Sequence, residues 1–432
     1  MASLSSIDTT TAPATWKGRT VLLLCFVSIV FDGYDLVVFG ATMPSLLKYE
    51  PWGMTKSTGG MIGSLALAGM LIGTLAVSLL TDRLGRRRIM LLSIAWFSTF
   101  MLLTAAAPSL EVFALLRFLT GIGLGGIVPT CVAMTVEFAP KRHRQMANAI
   151  MFSGYSVGGV GAAALAIVVL RHFDFRLMYA IAAVSLVTLL PVVWKFMPES
   201  VSYLARVGRL DEARLTAAKY GLVYADIVTE EDEVRERSQS SLSTLLSRKW
   251  ILSTILFALM SFCGLLLVYG LNTWLPQIMR EAGFALGAAL TFLLVLNVGA
   301  IVGALGASWI ADRVGAKKVV VACFLLACLT VLLLSVRLPY GVMLGLVAVA
   351  GLGSIGTQIL VSGYCSTHYP QSLTAAAVSC SLGFGRLGAI TGPLIGGFLA
   401  NLALGWQINF YAFSAFAILG ALIAFAVPRV VE

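Results

Sequence analysis

The sequence predicts an all-α membrane protein in which 12 transmembrane helices form two pseudo-symmetric bundles of six. Hydrophobic residues make up 59% of the 432 residues and charged residues only 12%, against roughly 25% charged in soluble domains. Apolar runs of about 20 residues recur along the chain, long enough to cross a hydrocarbon core of ~30 Å. The two halves also carry the same motif. A duplicated apolar chain with a basic turn in each half is typical of a secondary transporter.

The duplication is visible at an offset of 230 residues. Gly73 is followed by eight residues and then by Asp82-Arg83-Leu84-Gly85, and Gly303 is followed by eight residues and then by Asp312-Arg313-Val314-Gly315. The register persists further along, where Gly121 falls on Gly351 and Gly158 on Gly388.

The apolar runs define the predicted spans and domains. We place the spans at about 20–46, 59–80, 88–107, 109–134, 146–169, 177–197, 250–276, 284–310, 319–336, 339–364, 374–399 and 406–427. The predicted domains are an N-terminal tail (1–19), a first bundle (20–197), a linker (198–249) and a second bundle (250–428).

The distribution of positive charge predicts the orientation. Of the Lys and Arg residues, 22 lie on the side that holds both termini and the linker, and six lie on the other side. The positive-inside rule therefore places both termini in the cytoplasm. The same concentration of Lys and Arg on one side accounts for the net charge of +10, so this charge does not indicate binding of nucleic acid. The cysteines lack paired spacing and the histidines lack ligand spacing, so we expect no metal and no cofactor.

Four charged residues remain inside the predicted spans: Asp32, Asp35, Arg117 and Arg386. Each costs about 2.5–3.5 kcal/mol at the centre of an inserted helix, so each needs a partner, an aqueous cavity or a function. At a rise of ~1.5 Å per residue the four lie at similar depth. Together they form a neutral cluster. A fixed structural network is the alternative interpretation, but the charges have no counterparts in the other half.

The types of these residues suggest separate roles. Asp32 and Asp35 lie three residues apart on one helix face, and two carboxylates that close cannot both ionise cheaply in a low dielectric. One carboxylate of the pair can therefore carry a proton. A guanidinium, in contrast, stays charged and binds a carboxylate through two hydrogen bonds. We predict that the Asp pair handles protons, that Arg117 pairs with an aspartate and that Arg386 receives an anionic substrate. The sequence alone leaves the two arginine roles interchangeable.

Further polar and aromatic side chains fall in the spans and would suit a planar aromatic ligand. The candidates for the cavity wall are Tyr34, Tyr155, Tyr269, Asn272, Trp274, Gln358 and Tyr364.

The repeated Gly-x8-Asp-Arg-x-Gly turn resembles the loop signature of the major facilitator superfamily, and the resemblance covers essentially the whole chain. Arg117 with Gly121, Gly123 and Gly125 resembles its fourth-helix motif, and Pro198-Glu199-Ser200 its signature after the sixth helix. The resemblance implies a gating network of charges in the cytoplasmic loops that breaks during alternating access. Its members here would be Asp82, Arg83, Arg86, Glu137, Asp312 and Arg313.

A sharper match joins Phe31-Asp32-Gly33-Tyr34-Asp35 to Gly385-Arg386-Leu387-Gly388-Ala389. This pairing resembles the aromatic acid:proton symporter family, whose members import benzoate-like and hydroxybenzoate-like anions for aromatic hydrocarbon catabolism. The resemblance implies a monomeric symporter whose partners are a small aromatic carboxylate, protons and the lipid bilayer. One departure is Thr374, where the family usually has an arginine.

Other functions fit the sequence less well. A sugar porter would carry a Pro-Glu-Thr signature after the last helix, and a drug exporter a Gly-Pro signature in the fifth; neither is present. Another organic-anion porter of the same fold, or a transporter-like chemoreceptor for aromatic acids, stays open. An enzyme is disfavoured because the sequence offers no set of nucleophile and base.

Overall fold

The computed structural model describes residues 16–140, 143–225, 227, 244–402 and 404–428. Most of the predicted tail 1–19 and the middle of the predicted linker 198–249 lie outside the described residues, and the domain bounds stay a prediction. The described residues include 12 helical stretches that are long and apolar enough to cross a membrane. They confirm the predicted all-α class and the number of spans.

The first half contains the spans α1 to α7, followed by two short linker helices. Their bounds are α1 Trp16–Lys48, α2 Lys56–Leu84, α3 Arg86–Ala105, α4 Leu110–Phe138, α5 Arg144–His172, α6 Arg176–Ala182, α7 Leu189–Phe196, α8 Val201–Arg206 and α9 Leu210–Tyr220. The sixth span is not one regular helix, because a 3₁₀ turn at Ala183–Leu186 separates α6 from α7.

The second half repeats this order. Its helices are α10 Ile251–Glu281, α11 Leu286–Val314, α12 Ala316–Leu333, α13 Tyr340–Gly351, α14 Thr357–His368, α15 Gln371–Asn401 and α16 Gln407–Ala426. The tenth span is interrupted by a π-helical turn at Leu352–Gly356 between α13 and α14. π-turns within α-helices are frequent at functional sites.

The duplicated motif forms the same structure twice. Helices α2 and α11 each have 29 residues, and each ends at a glycine with positive φ, Gly85 at 86° and Gly315 at 99°. That conformation favours glycine because it has no Cβ. Gly121 packs against the carbonyl of Ala66, and its counterpart Gly351 against the carbonyl of Leu296. Both the turn and the close helix contact are thus repeated between the halves.

The halves meet toward one end of the molecule. We call the end with the Gly85 and Gly315 turns the basic end, and the end with Lys56 the opposite end. Ser64 Oγ donates to the carbonyl of Ile390 at 2.6 Å, and Lys56 pairs with Glu281 at 2.7 Å. These contacts join α2 to α15 and α10 in the part of α2 nearer the opposite end, so the halves are closed against each other there.

Candidate functional site

The first pair of buried charges is Asp35 of α1 with Arg117 of α4. Arg117 Nη1 donates to Asp35 Oδ1, and Nη2 donates to Oδ2 at 3.2 Å. The guanidinium also lies 5.8 Å from the ring centroids of Phe39 and Tyr179. Asp35 is 4% exposed and Arg117 2%. Two parallel hydrogen bonds make this the strongest kind of ion pair in proteins, so both charges are compensated in place.

Asp32, one turn earlier on α1, has a different environment. Its Oδ2 accepts a hydrogen bond from the hydroxyl of Tyr155 at 2.6 Å, whereas its Oδ1 is buried without a hydrogen-bond partner. Within the described part of the chain no cation lies at ion-pair distance from Asp32. A buried carboxylate without a paired cation is costly, and a bound proton removes that cost.

Arg386 of α15 faces this region from the other half. Its Nη1 lies 2.8 Å from the thioether sulfur of Met70, which is a weak acceptor. It interacts electrostatically with Tyr269 and Asp32, yet among the described residues no carboxylate forms an ion pair with it. Its side chain is partly exposed. The positive charge of the guanidinium is therefore not compensated by a direct ion pair among the described residues.

A cavity of about 20 Å³ lies beside the Asp35–Arg117 pair, which is room for about one water molecule. Its wall includes Asp35 and Arg117 from the first half and Tyr269 and Thr273 from the second. Met70, whose sulfur contacts Arg386, also lines it. No sequence pattern distinguishes Met70, because a methionine in an apolar helix looks the same as a core residue.

Among the predicted aromatic candidates, the structure brings Tyr155 and Tyr269 to the charged cluster. The hydroxyl of Tyr34 instead donates to the carbonyl of Met178 at 2.9 Å. The indole of Trp274 donates to the carbonyl of Pro393, also at 2.9 Å. Both polar groups are therefore occupied by contacts between helices of one half.

Asn272 and Tyr364 are also engaged elsewhere. Asn272 donates to the carbonyl of Val268 at 2.8 Å and accepts from Asn297 at 3.1 Å. Tyr364 packs its ring on Phe257, with centroids 5.0 Å apart. Their predicted role at the substrate stays a prediction.

Gln358 is different from these, because one of its polar atoms has no partner. It follows the π-turn at the start of α14, and its Nε2 lies 3.5 Å from Ser261 Oγ. Its Oε1 is buried without a hydrogen-bond partner. A buried amide oxygen in this state is an acceptor for a ligand hydroxyl.

At the basic end, the gating candidates of the first half bind to the linker. Glu137 forms an ion pair with Arg86 and accepts hydrogen bonds from Ser200 Oγ at 2.7 Å and from the amide of Val201. Because Val201 begins α8, this carboxylate fixes the linker to α3 and α4. A contact of the network with the other half stays a prediction.

Three of the four other gating candidates, all except Asp312, make contacts that the sequence did not indicate. Asp82 pairs with Arg206 of α8 at 2.6 Å, and the carbonyl of Arg83 accepts from Tyr203 at 3.0 Å. In the second half, Arg313 lies 3.6 Å over the ring of Trp309, and Asp312 is exposed.

Thr374, which stands where the family usually has an arginine, bonds locally. Its Oγ1 donates to the carbonyl of Pro370 at 3.1 Å, at the start of α15.

The Asp35–Arg117 pair predicts a large stability effect. Arg117→Gln leaves Asp35 buried without its cation, so we expect the free energy of unfolding to fall by about 3–5 kcal/mol. Adding Asp35→Asn removes the uncompensated charge and should restore part of the loss. Unfolding of the purified protein in detergent, as a double-mutant cycle, measures this. The matched control is the partly exposed Lys56–Glu281 pair, whose removal should cost no more than about 1 kcal/mol. Equal losses in the two cycles would contradict the assignment.

Comparisons with known proteins agree with this architecture. The family model described as Major Facilitator Superfamily matches residues 25–309 and 295–432. The chain is 34% identical to the "Benzoate transport protein" of Acinetobacter baylyi, over 97% of the chain and 91% of that protein. It is 35% identical to the "Gentisate transporter" of Corynebacterium glutamicum, over 94% and 89%. The structure titled "Inward open conformation of the xylose transporter XylE from E. coli" superposes with a TM-score of 0.79 at 16% identity, covering 96% of this chain and 97% of that one.

Proposed function

The chain belongs to the Major Facilitator Superfamily, within its aromatic acid transporters, and from this premise we propose that it imports an aromatic carboxylate together with protons by alternating access. The family relation makes it a multi-pass membrane transporter and not an enzyme. Benzoate and gentisate, the substrates named for the two relatives, are both rings that carry a carboxylate. We propose a substrate of this class for the chain.

The observation that carries the proposal is the unequal pairing of the four charges. Asp35 and Arg117 compensate each other, whereas Asp32 and Arg386 face the contact between the halves without direct ion pairs. Arg386 would hold the substrate carboxylate, and Asp32 would hold the proton. This supports the first of the two arginine assignments that the sequence left open.

The charge balance explains why the two ligands would travel together. The cluster of two aspartates and two arginines is neutral when empty and neutral again with one proton and one anion bound. An ionised Asp32 would compete with the substrate carboxylate for Arg386, so protonation of Asp32 releases the arginine for the anion. Either ligand alone leaves a net charge at mid-membrane, which opposes reorientation.

Orientation follows from the basic end. If that end faces the cytoplasm, as the positive-inside rule requires, the closed contacts at Ser64 and Lys56 lie on the outer side. The structure would then be the state that exchanges ligands with the cytoplasm. We propose a monomer in the bacterial inner membrane with both termini in the cytoplasm.

Uptake by proteoliposomes under an imposed pH gradient tests the proposal. We expect an inward proton gradient to drive accumulation of a labelled ring acid such as benzoate, and benzoate, 4-hydroxybenzoate and gentisate to compete for it. Xylose, the substrate named for the structural neighbour, should not compete. Binding of the acid without any counterflow would instead indicate a receptor and would contradict the transport proposal.

Gln358 predicts selectivity for ring hydroxyls. Gln358→Leu removes the unpartnered acceptor, and a hydrogen bond contributes about 0.5–1.5 kcal/mol. We therefore expect the KM for 4-hydroxybenzoate to rise about fivefold to tenfold, while the KM for benzoate stays within about twofold. Gln277→Leu, which removes an amide bonded to Glu281 near the opposite end, is the matched control. An equal rise for both acids would argue against recognition of the hydroxyl.

A further inference from the structure

We propose that a groove at the basic end binds the phosphate group of an anionic phospholipid. The groove lies between the start of α3, the end of α7 and the linker helices α8 and α9, and its volume is about 560 Å³. It is separate from the transport site, and the inference does not depend on the substrate.

The groove carries an excess of cations. Its wall holds five basic side chains and two carboxylates. Both carboxylates are already engaged: Glu212 with Arg209 at 2.5 Å, and Glu199 with the backbone amides of Arg87 and Ser200 at 2.9 and 3.0 Å.

Three of the cations remain for a ligand. Arg88, Lys195 and Lys219 also line the groove, and no ion pair engages them within the described ranges. They come from α3, α7 and α9, respectively, so one anion would contact three separate elements.

Arg87 also contributes a hydrogen-bond donor without an acceptor. Its Nη2 donates to the carbonyl of Trp194 and ties α3 to α7. Its Nε, in contrast, is buried with no hydrogen-bond partner. A buried guanidinium N–H without an acceptor next to a basic groove is a donor that an incoming phosphate oxygen satisfies.

The edge of the groove identifies the ligand as amphiphilic. Trp194 is 66% exposed and Phe196 48%, and Leu91 of α3 also contributes to the wall. These residues lie where the third and sixth spans reach the basic end, the level at which aromatic residues contact lipid headgroups. A free phosphate has no apolar part to contact this edge, whereas a phospholipid places its phosphate on the cations and its chains along the spans. Basic pockets at this level bind anionic headgroups.

Such a lipid would also stabilise the linker. Lys219 lies on α9, outside the membrane spans, while Arg88 and Lys195 lie on the spans. A headgroup that bridges them holds α9 against the first bundle, beside the contacts of Glu137 with Ser200 and Val201. Loss of the lipid should therefore lower the Tm of the full chain.

Native mass spectrometry of the full chain in detergent, titrated with phosphatidylglycerol, tests the proposal, with phosphatidylcholine for comparison. We expect one tightly bound phosphatidylglycerol per chain, and at least tenfold weaker binding by the triple variant Arg88→Gln/Lys195→Gln/Lys219→Gln. The control triple Arg248→Gln/Lys249→Gln/Lys318→Gln removes the same charges from exposed positions at the basic end and should bind like the wild type.

Three outcomes would overturn the proposal. They are unchanged binding by the groove variant, equal loss in the control triple, and a rise in Tm with inorganic phosphate alone as large as that with phosphatidylglycerol. The last would identify a free anion as the ligand. If the triple variant does not fold, Lys219→Gln alone still tests the proposal. Lys219 is exposed on α9, and its substitution should weaken lipid binding about fivefold.

Discussion

Asp32→Asn is expected to abolish uptake driven by a pH gradient while substrate counterflow continues. Asparagine has the shape of the protonated carboxyl but cannot release a proton. The carrier would then remain in its proton-loaded form, which binds the acid and reorients with it. Exchange of labelled for unlabelled acid uses only these steps. Net uptake needs the proton to leave on the cytoplasmic side, so we expect a loss of at least tenfold.

Gradient-driven uptake and counterflow are compared in the same proteoliposomes. Asp174→Asn is the matched control, because this carboxylate lies in a loop outside the spans and is half-exposed beside Arg176; it should leave both modes unchanged. Tyr155→Phe removes only the hydroxyl that donates to Asp32 and should shift the pH dependence of uptake without abolishing it. Full gradient-driven uptake by Asp32→Asn would exclude this residue as the proton carrier.

Much of the fold follows from local sequence features. A run of about 20 apolar residues spans a bilayer whatever its neighbours are, and the Gly85 and Gly315 turns follow from a motif that fixes the backbone. The interruptions in the sixth and tenth spans were not predicted. Hydropathy does not register a 3₁₀ or π-turn, because the side chains on either side of it stay apolar.

The pairing of charges depended on tertiary structure. The sequence placed Asp32 and Asp35 on one face of α1, but it did not indicate which of them Arg117 would contact. That choice depends on how α4 is rotated against α1, which the close helix contacts decide. The sequence likewise did not indicate that the amide of Asn272 and the indole of Trp274 donate to backbone carbonyls of the folded protein. Asp82 likewise pairs with Arg206, 124 residues away, through the packing of α8.

Arg386→Gln is expected to abolish substrate binding without unfolding the protein. A two-point hydrogen bond to a carboxylate is lost, and each hydrogen bond to a charged group contributes about 1.5–3 kcal/mol. We therefore expect the Kd for benzoate to rise about a hundredfold or more. Stability should change little, because no carboxylate within the described structure pairs with Arg386 and none is left uncompensated. Arg386→Lys keeps the charge but loses the planar fork, so its Kd should be intermediate.

The substrate-induced rise in Tm reports this binding, since the stabilisation of the folded state increases with the logarithm of the ratio of ligand concentration to Kd. Wild type should show a rise with saturating benzoate that Arg386→Gln lacks. Arg337→Gln, an exposed arginine in the loop before α13, should retain it. Arg117→Gln should give the opposite pattern to Arg386→Gln. Its Tm without substrate should be low, because Asp35 has lost its paired cation, and the rise in Tm with benzoate should be retained. If Arg386→Gln proved the unstable variant and kept the benzoate response, the roles of the two arginines would have to be exchanged.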